Sequence, residues 1–213
     1  IAASGIKESS VVLISKISFP SIISILLYSR ATIIFLDVDR DLQIKIPDEK
    51  ILDKAEFSII THAYGYPQKG DIIQAFKNRN IGIIEDFSHA QGAKIENKYA
   101  GTIDIGGFSS MQGEKAISAG EGGFVLTNSE KIYQRMLALH HINRKNTYNT
   151  NLTKIGILGK GRMHPLGVPK ANQSLNNLKK RNYKIVRKIK IIKKIFEKNK
   201  DIYFPNLFEK IEL

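Results

Sequence analysis

Apolar residues in the first half of the chain come in short, unbroken runs rather than in alternation. Residues 10–15, 32–37, 57–62 and 81–84 are such runs, rich in valine and isoleucine. A strand with one solvated face alternates apolar and polar positions, whereas a strand covered on both faces does not. Between these runs lie helix-compatible stretches. Pro20 can open a first helical turn that residues 21–28 continue. Residues 48–54 predict a short helix and 70–78 a longer one. The strand–helix order predicts an α/β fold, a mostly parallel sheet flanked by helices. Further on, 106–110 and 123–127 are strand-like and bracket a glycine-rich segment. Residues 129–140 predict a helix with Ser129 as N-cap. The polar stretch 143–162 predicts loop. A long helix is expected from about 170 to 199, broken near Asn176. Leu178, Ile185, Ile189, Ile192 and Phe196 recur there at 7, 4, 3 and 4 residues, as a single helical stripe does.

The net charge of +13 is the compositional feature that demands a decision. Much of it falls in residues 177–194. Nucleic-acid or membrane-surface binding is one reading of such a run. The other is a solvated helix face, because the lysines occupy the sides that the apolar stripe leaves. The second reading is preferred, so neither nucleic acid nor membrane is an expected partner. The remaining composition is that of an ordinary globular chain, with 42% hydrophobic and 25% charged residues in 213. No cysteine is present, which excludes disulfides, cysteine-ligated zinc and thiol catalysis. That absence fits a reducing compartment, and the cytoplasm is the expected location. No apolar run reaches transmembrane length. The first residue is Ile, not Met, so the native start is expected to lie upstream.

Two segments carry the candidate chemistry. In Ile81-Gly-Ile-Ile-Glu-Asp-Phe-Ser-His-Ala-Gln-Gly, an apolar run ends in two carboxylates, with His89 following Asp86. Ligands of open α/β sheets bind beyond the carboxyl ends of the strands, where Asp86 would stand. An acid after a strand is also a common turn or cap residue. In Gly106-Gly-Phe-Ser-Ser-Met-Gln-Gly-Glu-Lys-Ala-Ile-Ser-Ala-Gly-Glu-Gly-Gly, Lys115 sits in a turn rich in glycine and serine. Such a lysine is a candidate Schiff-base amine. A solvated surface lysine is the plainer alternative.

Taken together, the two segments are specific. Glu-Asp-x-x-His-Ala-x-Gly followed by Phe-Ser-x-x-x-x-x-Lys-x-x-x-x-Gly-Glu-Gly-Gly resembles the DegT/DnrJ/StrS family of pyridoxal-phosphate (PLP)-dependent sugar aminotransferases. The resemblance extends to Thr61-His-Ala-Tyr-Gly-Tyr-Pro and Gly161-Arg-Met-His-Pro-Leu, and so covers nearly the whole chain. It implies a fold type I large domain and transamination of a keto-sugar nucleotide, with glutamate as the amino donor. A homodimer with shared active sites and a role in amino-sugar and polysaccharide synthesis are further family expectations.

By the same resemblance, Lys115 is the lysine that binds the cofactor aldehyde and later shuttles a proton. Asp86 pairs with the pyridine nitrogen. His89 hydrogen-bonds the phenolic oxygen. Ser110 binds phosphate, with Ser109 the weaker candidate. Phe19 stacks on the ring, although a core side chain at a helix start is its plainer reading. Lys160 and Arg162 stand in a segment that often reaches a neighbouring subunit's phosphate. His62 and Tyr64 receive no chemical role, nor do His140 and His141. No metal site is expected.

The pattern also departs from the family. The phosphate loop, Gly-Thr-x-Ala-Leu, would lie just before residue 1, and the small C-terminal domain is mostly absent. The chain is therefore expected to be a fragment. Residues 1–165 would be an incomplete large domain, and 166–213 a long interdomain helix with the start of the small domain. An inactive truncated product and a PLP-dependent sugar dehydratase are the alternatives. Dehydratases of the family carry His at the lysine position, which speaks against the second.

Overall fold

A computed structural model describes residues 1–140 and 161–205. The elements run β1 (Val11–Ser15), α1 (Pro20–Tyr28), β2 (Thr32–Leu36), α2 (Glu49–Leu52), β3 (Phe57–Thr61), α3 (Gly70–Asn78) and β4 (Gly82–Asp86). They continue with β5 (Lys94–Ile95), β6 (Lys98–Tyr99), β7 (Gly106–Ser110), β8 (Gly123–Leu126), α4 (Glu130–His140), α5 (Gly167–Asn176) and α6 (Leu178–Phe196). The main sheet has the order β2-β1-β3-β4-β7-β8. Every pair up to β7 is parallel, and β7–β8 is antiparallel. This is the mostly parallel, helix-flanked α/β sheet that the strand–helix alternation predicts.

The apolar runs are explained by two cores, one on each face of the sheet. Leu13, Ile60 and Ile83 point to the face covered by Ile72, Ile73 and Phe76 of α3. Val12, Ile14, Ile59 and Ile84 point to the opposite face, covered by Ile22 and Leu26 of α1. Neighbouring residues of a strand face opposite ways, so a strand buried on both sides needs apolar side chains at consecutive positions. Phe76 and Leu26 are both fully buried, and truncating either to Ala would cost about 3 kcal/mol.

Several local expectations change in the folded chain. Among the described residues, strand β2 pairs with β1 alone, at the sheet edge, and Phe35 on it stays exposed. Residues 94–99 form a hairpin that the sequence did not announce, because two-residue strands carry no readable period. Its turn residues Glu96 and Asn97 both take positive φ, at 46° and 68°, as the tightest hairpin turns require. Ser129 caps α4 as expected, its hydroxyl accepting from the Ile132 amide at 3.4 Å.

The long helix starts earlier, at Gly167, and breaks at Asn177 into α5 and α6. Its apolar stripe is not a core face among the described residues. No residue of α6 is buried, and Ile185, Ile192 and Phe196 are all exposed. Only Leu178, at the start of the helix, packs against Met111, Ile117, Ala119 and Ala171.

Candidate active site

The two carboxylates ending β4 go to opposite sides of the sheet, as consecutive strand residues do. Glu85 is fully buried and accepts hydrogen bonds from the Gly101 and Ile103 amides, each at 2.8 Å. His62, also fully buried, meets it at 3.0 Å through Nε2. The Gln68 amide donates to His62 Nδ1 at 3.1 Å, so the ring hydrogen must sit on Nε2 and point at Glu85. Glu85 is thus a buried acceptor that ties β4 to the 101–103 loop and to the end of β3.

Asp86 faces the other way, into a cleft of about 1430 Å³ beyond the carboxyl ends of the parallel strands. Its Oδ1 accepts from the Ser88 amide at 3.0 Å, which fixes the carboxylate at the strand end. His89 follows on the same turn. The Tyr64 amide donates to His89 Nδ1 at 3.4 Å, and the two rings stack with centroids 5.8 Å apart. Burial holds the His89 imidazole below its ordinary proton affinity. The positive charge of Lys115 lowers it further, and Asp86 opposes both. One ring therefore senses the acid and the amine together.

Lys115 is half-buried in a turn closed by backbone bonds. Its amide donates to Gln112 at 2.9 Å, the Ala119 amide to Met111 at 2.8 Å and the Met111 amide to Gly122 at 2.9 Å. Gly122 has φ 139°, a conformation that side chains resist, and Met163 leaves little room for one there. The turn hangs on Gln91, itself buried. The Gln91 amide nitrogen donates to Ser109 Oγ at 2.7 Å and to the Ser110 carbonyl at 2.8 Å, and its oxygen accepts from the Ile117 amide.

The residues singled out from the sequence divide clearly. Asp86, His89, Lys115, Ser110 and Phe19 all wall the one cleft. Phe19 is 66% exposed there rather than packed in the core, and it precedes α1 in extended backbone. Ser109 also reaches the wall, but its hydroxyl is held inward by Gln91. Ser110 is the more open of the two serines. Arg162 is exposed and stands outside the cleft wall. Lys160 and His141 lie outside the described residues. Sequence reasoning missed the His62–Glu85 pair, Gln91 and Arg181. Gln91 lies inside the acid-histidine segment, but nothing in the chain marks it as a support. Arg181 is hidden among the lysines of α6.

Comparison with known proteins bears on the family and the fold. GDP-perosamine synthase of Escherichia coli O157:H7 is 37% identical over 140 residues, 63% of this chain and 38% of that protein. The UDP-4-amino-4,6-dideoxy-N-acetyl-beta-L-altrosamine transaminase of Campylobacter jejuni is 26% identical over 211 residues, 92% of this chain and 54% of that one. The chain thus spans about half the length, or less, of these relatives. A solved structure of E. coli GDP-4-keto-6-deoxy-D-mannose-3-dehydratase with bound hydrated PLP superposes with TM-score 0.75 at 22% identity. That match covers 91% of this chain and 55% of the dehydratase, and it shows a shared fold. The profile of one family matches residues 1–207, which takes in the acid-histidine segment, the lysine turn and α6 alike. On that breadth, this chain belongs to the DegT/DnrJ/EryC1/StrS aminotransferase family.

Proposed function

We propose that this chain carries the cofactor-holding part of a PLP-dependent aminotransferase acting on a keto-sugar nucleotide, with glutamate as amino donor. The observation that carries the reading is that Asp86, His89 and Lys115 wall a single cleft at the carboxyl ends of the strands. An acid, an imidazole and an amine on one cavity, beside the exposed ring of Phe19, suit a flat, phosphorylated heterocycle. When bound, PLP supplies an electron-poor ring that accepts negative charge from the carbon losing its proton.

The chain's own residues would do the rest. Lys115 would hold the cofactor covalently through Nζ and, when released, carry a proton at that atom. Asp86 would keep a proton on the ring nitrogen, its carboxylate orientation set by the Ser88 amide. His89 has Nδ1 engaged by Tyr64, so its Nε2 hydrogen is the one available to a ring oxygen. Ser110 would bind phosphate and Phe19 cover a ring face. Lys160 and Arg162 would supply phosphate-binding cations, in the family manner to a neighbouring subunit of a homodimer. Synthesis of amino sugars for polysaccharide, in the cytoplasm, is the setting this reading implies. No helix of the described residues is long and apolar enough to cross a membrane.

Dehydration of the sugar is the competing reading, since a dehydratase shares the fold. Lys115 favours transamination, because His replaces the lysine in dehydratases of the family, although some dehydrating relatives keep it. Borohydride reduction of the protein with PLP, followed by peptide mapping, tests the assignment. Covalent label on Lys115, lost in Lys115→Ala, is expected. Label on another lysine would refute it.

A further inference from the structure

We propose that Arg181 is a positioning residue for Lys115, and that its guanidinium fixes where the lysine amine stands in the cleft. The inference rests on the reading of Lys115 as the cofactor lysine. Arg181 comes from α6, far along the chain from the turn it touches. Its Nη1 donates to the carbonyl of Lys115 at 2.9 Å and to that of Ala116 at 3.3 Å. Its Nη2 donates to the carbonyl of Glu114 at 3.1 Å. Three consecutive carbonyls, centred on the lysine itself, thus converge on one cation.

The neighbouring residue reinforces the grip. Asn182 donates from Nδ2 to the Gln91 carbonyl at 2.9 Å. Gln91 in turn holds the Ile117 amide and the Ser110 carbonyl. Adjacent residues of α6 therefore secure the lysine turn from outside and, through Gln91, from within. A guanidinium suits this task because its donors form a rigid planar fork, while an ammonium is a single point of charge. The consequence is that α6, although it has no buried residue, reports its position directly to the lysine turn.

The test compares wild type with Arg181→Lys and Arg181→Gln. Amide hydrogen exchange is read at Lys115, Ile117 and Ala119, whose amides close the turn. Competitive acylation of Lys115 with an anhydride, across a pH series without PLP, reads the amine itself. Both variants are expected to speed exchange at the turn by about tenfold. They are also expected to change the rate of Lys115 acylation, with β1 and β3 exchange unchanged. Arg181→Lys failing to restore the wild-type turn supports the fork geometry over charge alone.

An unchanged Lys115 profile in Arg181→Gln overturns the proposal, as does a uniform rise in exchange across the whole sheet. Should Arg181→Gln not fold, Arg181→Lys carries the same comparison. Borohydride labelling of the wild type is run alongside. If the turn loosens but the label lies elsewhere, the hold on the turn stands and the reading of Lys115 as cofactor lysine fails.

Discussion

Replacing Glu85 with Gln keeps the shape of the side chain and removes one acceptor. The native carboxylate takes the Ile103 amide on one oxygen and the Gly101 amide and His62 Nε2 on the other, with no solvent access. A Gln amide can satisfy only one of those two sides. If its oxygen keeps Gly101 and His62, its NH2 faces the Ile103 amide, donor against donor. A buried donor left unpaired costs about 2 kcal/mol. The two surviving bonds change from charge-assisted to neutral, at about 1 kcal/mol each. The total is about 4 kcal/mol, a large part of the ~5–15 kcal/mol that holds a typical domain together. Urea unfolding followed by far-UV circular dichroism measures it, with an unchanged slope showing that the unfolded state is the same. A loss below about 1 kcal/mol would mean that Glu85 does not serve three donors, and the tie between β4 and the 101–103 loop would have to be abandoned.

Other perturbations test the cleft and its supports. The His89 imidazole should titrate below the ordinary histidine value in an NMR pH series, because burial and Lys115 outweigh Asp86. Lys115→Ala should raise that midpoint and Asp86→Asn lower it; movement in the opposite sense would place the three groups differently. The linkage has a definite sign. Below the unfolded value of about 6.5, the unfolded chain takes up the proton first, so His89 makes stability fall as pH drops through that window. His89→Gln should flatten this part of the stability curve. Gly106→Ala should cost about 3 kcal/mol in thermal or urea unfolding, because φ is 131° and the new Cβ would stand 2.1 Å from the Leu126 carbonyl oxygen. Gln91→Leu should cost about 3 kcal/mol and release the Ile117 amide to exchange; native-like protection there would show that Gln91 is not the support.

The legible part of the site is the part held close in sequence. Asp86 and His89 share one turn, and Lys115 sits in a glycine-rich segment whose composition announces a tight bend. The illegible part is made of partners far apart in the chain. His62 and Glu85 are separated by 23 residues, and Arg181 and Lys115 by 66. No periodicity connects such positions, and Arg181 looks like any other cation of a basic helix until α6 is docked. The exposed stripe on α6 makes the same point in reverse. Its helical spacing was correct, but spacing says only that the residues share a side, not that anything covers it.

The chain's hydrophobic order was enough to determine a doubly covered, mostly parallel sheet. Apolar side chains at consecutive strand positions are stable only between two helical layers. Its paired segments were enough to bring an acid, an imidazole and an amine to the strand ends. What folding alone decided is the division of labour between Glu85 and Asp86. The two are adjacent and chemically alike, and strand alternation requires only that they part. Which one became a buried strut and which one a cleft carboxylate depended on His62 and the 101–103 amides waiting on one side of the sheet, and on open space on the other.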